Sequence, residues 1–313
     1  MRVAVTGASG LVGRLVLARL VAAGADVIAV SRRPVADGSP VSWWQGDISS
    51  PGPWQEAVTQ ADAVVHLAGE PIADRRWTAA HKERLRSSRV EGTRRVVEAL
   101  ARAGGGDRAR VLVAASGSGY YGPRGEEELD ETSPPGNDFL ARICQEWEAE
   151  AARATEVGVR VVSLRLGLVL SGRGGALSRM LPAFRMFAGG PLGDPAAWFP
   201  WIHEDDAVGL VMHALGTAAL SGPVNAVAPE AVRMREFAET LGRLMGRPAL
   251  LPVPGWALRL VLGEMGGAIT PGQRIVPRAA LASRYRFAHP ALAAALASIV
   301  RPAGEPTAFE EAQ

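Results

Sequence analysis

Residues 1–13 read MRVAVTGASGLVG, an apolar run that breaks into a glycine turn and then opens a helix. Gly7, Gly10 and Gly13 stand at G-x-x-G-x-x-G spacing. In that spacing the first glycine permits a tight turn, the second lets backbone N–H groups approach a pyrophosphate, and the third lets the helix pack closely on the strand. Three glycines at a strand end also make ordinary turns, so the surroundings decide between the two readings. Val3, Ala4 and Val5 form an apolar run without alternation, and Leu11, Val12, Leu15, Val16 and Leu20 recur at helical spacing behind the turn. A second strand, Val27 to Val30, begins after Gly24 and completes a βαβ unit. The stretch is therefore read as a dinucleotide-binding loop, with Gly7, Ser9, Gly10, Leu11 and Val12 at the cofactor.

Working outward, the same rhythm continues. Strand signals at 2–6, 26–31, 62–67, 110–115 and 159–164 alternate with helix signals at 11–23, 78–103 and 138–157. This is the α/β pattern of a doubly wound parallel (Rossmann) sheet. The triplet Gly104-Gly105-Gly106 is expected to end the second long helix, and Gly122 to Gly136 to form a loop whose acidic run, Glu126 to Glu128, is a solvated face. After residue 167 the chain turns to short helices, prolines and tryptophans. Residues 1–166 are thus read as the NAD(P)-binding domain, with 203–228 returning to it. Residues 167–202 and 229–300 form a smaller, mainly helical substrate-side lobe, and 301–313 a flexible tail.

A chain of 313 residues, 48% apolar and 21% charged, is a soluble globular protein with ample core. The net charge of +2 excludes nucleic acid as the main partner. Arg14, Arg19 and Asp26 interrupt the N-terminal apolar stretch, so it is neither a leader nor a membrane span. The single cysteine, Cys144, excludes an internal disulfide and fits a reducing cytoplasm. The partner expected is a small molecule, bound by a monomer or homodimer. Arginine dominates the basic residues and Lys82 is the one lysine, so chemistry that needs a lysine must use Lys82 or do without.

Several further motifs follow in order: Gly46-Asp47-Ile48, His66-Leu67-Ala68-Gly69, Gly92-Thr93, Ser116 with Tyr120-Tyr121-Gly122, Arg165-Leu166-Gly167, and Trp201-Ile202-His203-Glu204-Asp205-Asp206. With the glycine loop they resemble the extended short-chain dehydrogenase/reductases, relatives of nucleotide-sugar epimerases. The strings GEPIADRRW (69–77), SRVEGTRRVVEAL (88–100), FPWIHEDD (199–206) and PVPGWALRLVLGE with GQRIVPRAAL (252–281) are similar to an atypical NAD(P)-dependent epimerase/dehydratase-like family that ends in a short DUF1731-type module. The resemblance implies that Asp47 and Ile48 meet the adenine, that Leu67, Ala68, Gly69 and Arg165 also serve the cofactor, and that Glu70, Arg89 and Trp201 face the substrate. It implies hydride chemistry at a nicotinamide, and some such relatives are linked to cell or plastid division.

The chain also departs from the pattern. Members of the superfamily use a Tyr-x-x-x-Lys pair, in which the lysine lowers the tyrosine pKa and the tyrosine moves the proton. Four residues after the three tyrosines stand Arg124, Gly125 and His289, and counting through Glu148 puts Leu140 and Cys144 at the dyad positions. Arg89 stands where an asparagine is usual. The catalytic candidates that remain are Ser116 with Tyr120 or Tyr121, one tyrosine acting as the acid and the other packing. Arg89 is read as binding an anionic substrate or stabilising an oxyanion, or as a surface arginine paired with Glu91 or another acid. Cys144 reads as a small buried hydrophobe rather than a nucleophile.

Ser31-Arg32-Arg33 follows the second strand, where NAD enzymes place an acid on the ribose. Guanidinium binds phosphate bidentately, so the triplet favours NADP(H) over NAD(H), unless it is only a solvated basic turn. Metal is not expected, since His203, Asp205 and Asp206 read as a lobe-linking motif. Trp198 to Trp201 are expected to close a substrate pocket or form a hinge core. The reading that results is an NADP(H)-binding epimerase/dehydratase-like oxidoreductase of unknown substrate; its rival is a catalytically weak or inactive binding or regulatory protein.

Overall fold

The computed structural model describes residues 1–33, 40–103, 110–249, 251–269 and 272–300. The triplet 104–106 and the tail 301–313 lie outside the described residues. The chain begins with β1 (Arg2–Thr6), α1 (Leu11–Ala22), β2 (Asp26–Ser31), β3 (Val41–Gln45), α2 (Trp54–Thr59), β4 (Ala63–His66), α3 (Ala79–Arg102) and β5 (Val111–Gly117). It continues through β6 (Glu128–Leu129), α4 (Phe139–Ala152), β7 (Arg160–Leu166), β8 (Leu168–Leu170), α5 (Gly175–Arg185), β9 (Trp198–Phe199), β10 (Trp201–His203), α6 (Glu204–Gly216) and β11 (Gly222–Ala226). It closes with β12 (Val232–Arg233), α7 (Met234–Leu244), α8 (Gly255–Leu262), α9 (Glu264–Ile269), β13 (Arg274–Ile275), α10 (Arg278–Ala282) and α11 (Leu292–Val300).

Seven strands form one sheet in the order β11-β7-β5-β4-β1-β2-β3, every neighbour pair parallel. From β1 the chain moves through α1 to β2 and on to β3, then crosses back through α2 to place β4 on the other side of β1. The order reverses between β1 and β4, which leaves a crevice at their C-terminal ends. Both faces of the sheet are covered. Val16, Leu20, Val208 and Val211 cover one with α1 and α6, and Trp54, Val58, Val96 and Leu100 the other with α2 and α3.

The sequence reading lacked β3 and α2. Val41-Ser42-Trp43-Trp44-Gln45 is an edge strand exposed to varying degrees along its length, so it shows neither an unbroken apolar run nor clean alternation. Six residues of α2 are too few to display a period. Helix termini follow side-chain caps: Thr78 accepts from His81 N to start α3, and Asp138 accepts from Ala141 N to start α4. The helix expected to run to 157 ends at Ala152 and passes into a 3-10 turn that Gly158 stops at φ +75°.

The acidic run Glu126 to Glu128 is exposed, as expected, and the loop also forms a seam with the C-terminal region. Glu126 pairs with Arg233, Glu128 with Arg274 and Asp130 with Arg278, while the Glu131 carboxylate accepts from Asn225 N and Ala279 N. On the other side of the molecule, α9 buries Met265 against Trp77, Leu85 and Ile143. Lys82 Nζ lies 2.6 Å from Glu264 there, so the one lysine of the chain is used in an inter-element ion pair. A third contact is made by Asp206, whose buried carboxylate accepts from Ala288 N, His289 N and Tyr285 Oη at 2.7, 2.8 and 3.0 Å. Among the described residues no helix is long and apolar enough to cross a membrane.

Candidate cofactor-binding site

At the end of β1, Gly7 takes φ +70°, and a Cβ there would stand 2.6 Å from Ala68 N. The turn after β1 thus runs backbone to backbone against the loop after β4, an approach only glycine allows. Gly10 caps α1 with no side-chain bond to the first turn, so the N–H groups of Leu11 and Val12 are left to face the crevice end of the helix. A Cβ on Gly13 would come 2.2 Å from Gly7 O, so this glycine lets the helix seat on the turn. The three glycines do three different jobs. Leu11 and Val12 themselves direct their side chains away from the cleft: Leu11 meets Gly174 and Gly175, and Val12 packs on the sheet core.

The crevice is a cleft of about 440 Å³. Of the residues expected at the cofactor, Gly7, Ser9, Gly10, Ser31, Arg32, Asp47, Ile48, Leu67, Ala68 and Gly69 line it. Ser31 Oγ donates to Ser9 Oγ at 3.0 Å and ties the β2 end to the glycine turn. Asp47 Oδ1 accepts from Ser49 N at 2.9 Å, and Ile48 fills the space over Gly92, where a Cβ would be 2.6 Å from Ile48 Cδ1. Arg33 is exposed and stands outside the lining. Glu70, expected at the substrate, lines this same cleft, with Oε2 3.7 Å from Arg32 Nη1. Arg84, Ser87 and Ser88 on α3 also line it; of these only Ser88 fell within a motif, at the start of the string 88–100.

Beneath the cleft, His66 is fully buried, with Nδ1 2.6 Å from Thr6 Oγ1 and Nε2 3.0 Å from Thr93 Oγ1. Burial lowers its pKa to about 4, so a neutral imidazole joins β1, β4 and α3 under the cofactor loop. The Gly-Thr of α3 is thereby explained: Gly92 admits Ile48 and Thr93 bonds His66.

At the end of β5, Ser116 Oγ donates to Glu148 Oε1 at 2.6 Å. Arg165 holds the same carboxylate, Nε to Oε1 at 2.9 Å and Nη2 to Oε2 at 2.8 Å. Its Nη1 also donates to Tyr121 Oη at 2.9 Å, and that hydroxyl donates to Asn225 Oδ1 at 2.6 Å. Burial opposes the Arg165 charge, but the bonds to Glu148 outweigh it and raise the pKa above the usual arginine value. Burial likewise pushes Tyr121 up to about 12, against the pull of Arg165.

These contacts correct three expectations. Tyr121 is buried with its hydroxyl doubly bonded, which removes it as an acid. Tyr120 lies under Arg165, Cζ 3.4 Å from the ring centroid, and lines a separate hollow with Gln145, Glu148 and Pro223 instead of the cofactor cleft. Arg165 is spent on the buried pair and does not line the cleft.

The model of the NAD dependent epimerase/dehydratase family matches residues 3–226, which span the whole seven-stranded sheet except its first residue. The chain belongs to that family. A second model, described as a domain of unknown function (DUF1731), matches residues 253–299. The epimerase family protein SDR39U1 of Bos taurus is 40% identical over 305 residues, 96% of this chain and 100% of that protein. The chloroplastic SDR39U1 homolog of Arabidopsis thaliana is 39% identical over 304 residues, 96% of this chain and 87% of that one. A crystal structure of human SDR39U1 (isoform 2) with NADPH superposes with TM-score 0.85 at 37% identity, covering 96% of this chain and 99% of that chain.

Within this epimerase/dehydratase chain, Leu140 and Cys144 both face the end of β5. A Cβ on Gly119 would lie 3.2 Å from Leu140 Cβ, and one on Gly117 3.7 Å from Cys144 Sγ. Burial pushes the Cys144 thiol up to about 11, which leaves it a neutral packing group. Arg89 is not a surface arginine paired with Glu91, which bonds Arg94 instead. Its guanidinium is buried over Trp147, donates to Glu70 O and Leu85 O, and stands 3.3 Å from where a Gly69 Cβ would be. Arg89 thus braces the loop after β4 from below and does not line the cleft.

Trp201 is also corrected. It is 1% exposed, donates Nε1 to Glu230 O, and belongs to the core formed with Leu177, Phe184, Phe237 and Leu296. The space beside Trp198 to Trp201 is about 10 Å³, too small for a substrate. His203, Asp205 and His289 lie close together, but His203 Nδ1 accepts from Asp205 N as the cap of α6 and Nε2 bonds Ser298 Oγ. The two imidazoles stack at 3.7 Å with their planes inclined by 35°.

Proposed function

We propose that this protein binds NADP(H) in the β1–β4 crevice and acts on a small-molecule substrate as an epimerase/dehydratase-like oxidoreductase with a weakened proton-transfer centre. The observation that carries this reading is the glycine turn at the cleft: Gly7 lets it pack backbone to backbone on Ala68, Gly13 seats α1 on it, and the uncapped start of α1 opens onto the crevice that Gly7 and Gly10 line. The NADPH named for human SDR39U1 supports the same assignment. A bound nicotinamide supplies a hydride donor or acceptor. The chain supplies backbone N–H groups for the pyrophosphate, Asp47 and Ile48 along the adenosine, and Arg32 for a 2′-phosphate. His66 stays neutral and keeps charge out of the floor.

Ser116 can position a carbonyl or hydroxyl, but its own O–H donates to Glu148, which Arg165 also grips. With Leu140 and Cys144 at the dyad positions and Lys82 bound to Glu264, no lysine serves a tyrosine at the end of β5, and the pull of Arg165 on Tyr121 is outweighed by burial. Turnover of ordinary sugar nucleotides is accordingly weak. The same packing favours a second reading, an NADP(H)-dependent binding or regulatory protein. The buried, unpaired Cys144 supports a reducing compartment such as the cytoplasm.

Calorimetry tests the cofactor reading. NADPH binds more tightly than NADH, and Arg32→Ala costs NADPH about 1.5–3 kcal/mol, the worth of a hydrogen bond to a charged group. Equal wild-type affinities for the two cofactors would overturn the preference. Steady turnover of a nucleotide sugar, lost in Ser116→Ala, separates the enzyme from the binding protein.

A further inference from the structure

We infer that Glu70 is a cofactor-specificity residue, which competes with a 2′-phosphate for Arg32 and offers a 2′-hydroxyl its acceptor. The inference rests on reading the crevice as an NADP(H) site. Dinucleotide-binding folds that take NAD place a carboxylate on the ribose from the end of the second strand, and those that take NADP place an arginine nearby. Here the β2 end carries Ser31 and Arg32 and no acid. The acid arrives from across the crevice, on the loop after β4: Glu70 Oε2 lies 3.7 Å from Arg32 Nη1, and both residues line the same cleft.

Glu70 is anchored. Its backbone N donates to Ser88 Oγ at 3.0 Å and its carbonyl accepts from Arg89 Nη1 at 3.1 Å, so α3 fixes the root of the side chain on both sides of the Cα. The Glu70 side chain is 21% exposed and that of Arg32 is 68% exposed. The carboxylate is the more enclosed member of the pair and the guanidinium the more exposed one. Among the described residues Glu70 is the one carboxylate paired with Arg32.

A 2′-phosphate that reaches Arg32 therefore meets a carboxylate within a few ångströms. It must draw the guanidinium away from Glu70 and tolerate the second negative charge. A 2′-hydroxyl meets neither cost: it donates to Glu70 and leaves the ion pair in place. The pair thus lowers NADPH affinity without lowering that of NADH, and it keeps the preference modest in a site whose arginine alone would make it strong. Because the pair sits at the rim, the effect has the size of an exposed charge interaction.

The test is calorimetric titration of the full chain and its Glu70→Gln and Glu70→Asp variants with NADPH and with NADH. Glu70→Gln keeps the shape and removes the charge, so the ratio of NADPH to NADH affinity should rise about fivefold, through tighter NADPH binding. Glu70→Asp keeps the charge and should stay near the wild-type ratio. A Glu70→Gln ratio within twofold of wild type, or equal ratios for the two variants, overturns the proposal. A wild-type chain that binds neither cofactor instead overturns the cofactor reading beneath it.

Discussion

The guanidinium of Arg165 grips both oxygens of Glu148, at 2.9 and 2.8 Å, across the gap between β7 and α4. The pair is nearly closed to solvent, with side chains 3% and 14% exposed, and it holds Ser116, Tyr120 and Tyr121 in one chain of contacts. Removing one partner leaves the other charge buried. Glu148→Gln should therefore cost about 3–5 kcal/mol of stability, read from a urea melt. A loss under about 1 kcal/mol would show that solvent reaches Arg165.

Tyr121→Phe leaves Asn225 Oδ1 and Arg165 Nη1 each short of a partner. The expected cost is about 1–3 kcal/mol in the same measurement. NADPH affinity should not change, because Tyr121 lies outside the cleft. A drop in cofactor affinity without a loss of stability would put the tyrosine back in the site.

Gly13→Ala forces a Cβ to within 2.2 Å of Gly7 O, so α1 must lift from the turn. Overpacking of this kind costs about 1–3 kcal/mol and should also weaken NADPH by moving the helix start. Gly24→Ala is the control. Gly24 has φ +72° but open space around its Cβ position, so the cost is strain of about 1–2 kcal/mol with unchanged NADPH affinity.

His66 makes stability depend on pH. Burial lowers its pKa to about 4 from the ordinary histidine value of 6.5, so the folded state favours the neutral ring. Its contribution is fully present above pH 6.5 and is lost as pH falls from there to about 4, a total of about 3 kcal/mol. His66→Asn should flatten that limb of the urea-midpoint profile relative to wild type. Parallel profiles for the two chains would show that His66 is not desolvated.

Asp206→Asn weakens the clamp on the segment 285–289. Its carboxylate accepts three donors, and bonds to a charged acceptor are worth about 1.5–3 kcal/mol each, so the loss should be local and large. Limited proteolysis should cut between α10 and α11 in the variant before it cuts the wild type. Identical cleavage patterns would show that the apolar contacts of Leu292 and Leu296 hold the segment alone.

The sequence by itself determined the inner strands of the sheet and the cofactor loop, though not the edge strand β3. A glycine with positive φ, a helix start and a strand period are local properties, each fixed by residues within a turn or two of one another, and so 1–13 could be read without its neighbours. The same locality let Ser31 and Arg32 be placed, since they follow directly from where β2 ends. The tertiary structure alone decided the charges. Whether Arg165 serves a cofactor or Glu148, whether Glu126 finds a partner in Arg233, and whether Glu70 meets substrate or Arg32 depend on partners 17, 107 and 38 positions away. A long charged side chain carries no period and no propensity that names its partner. The fold brings that partner within reach, and burial then fixes what the pair can do.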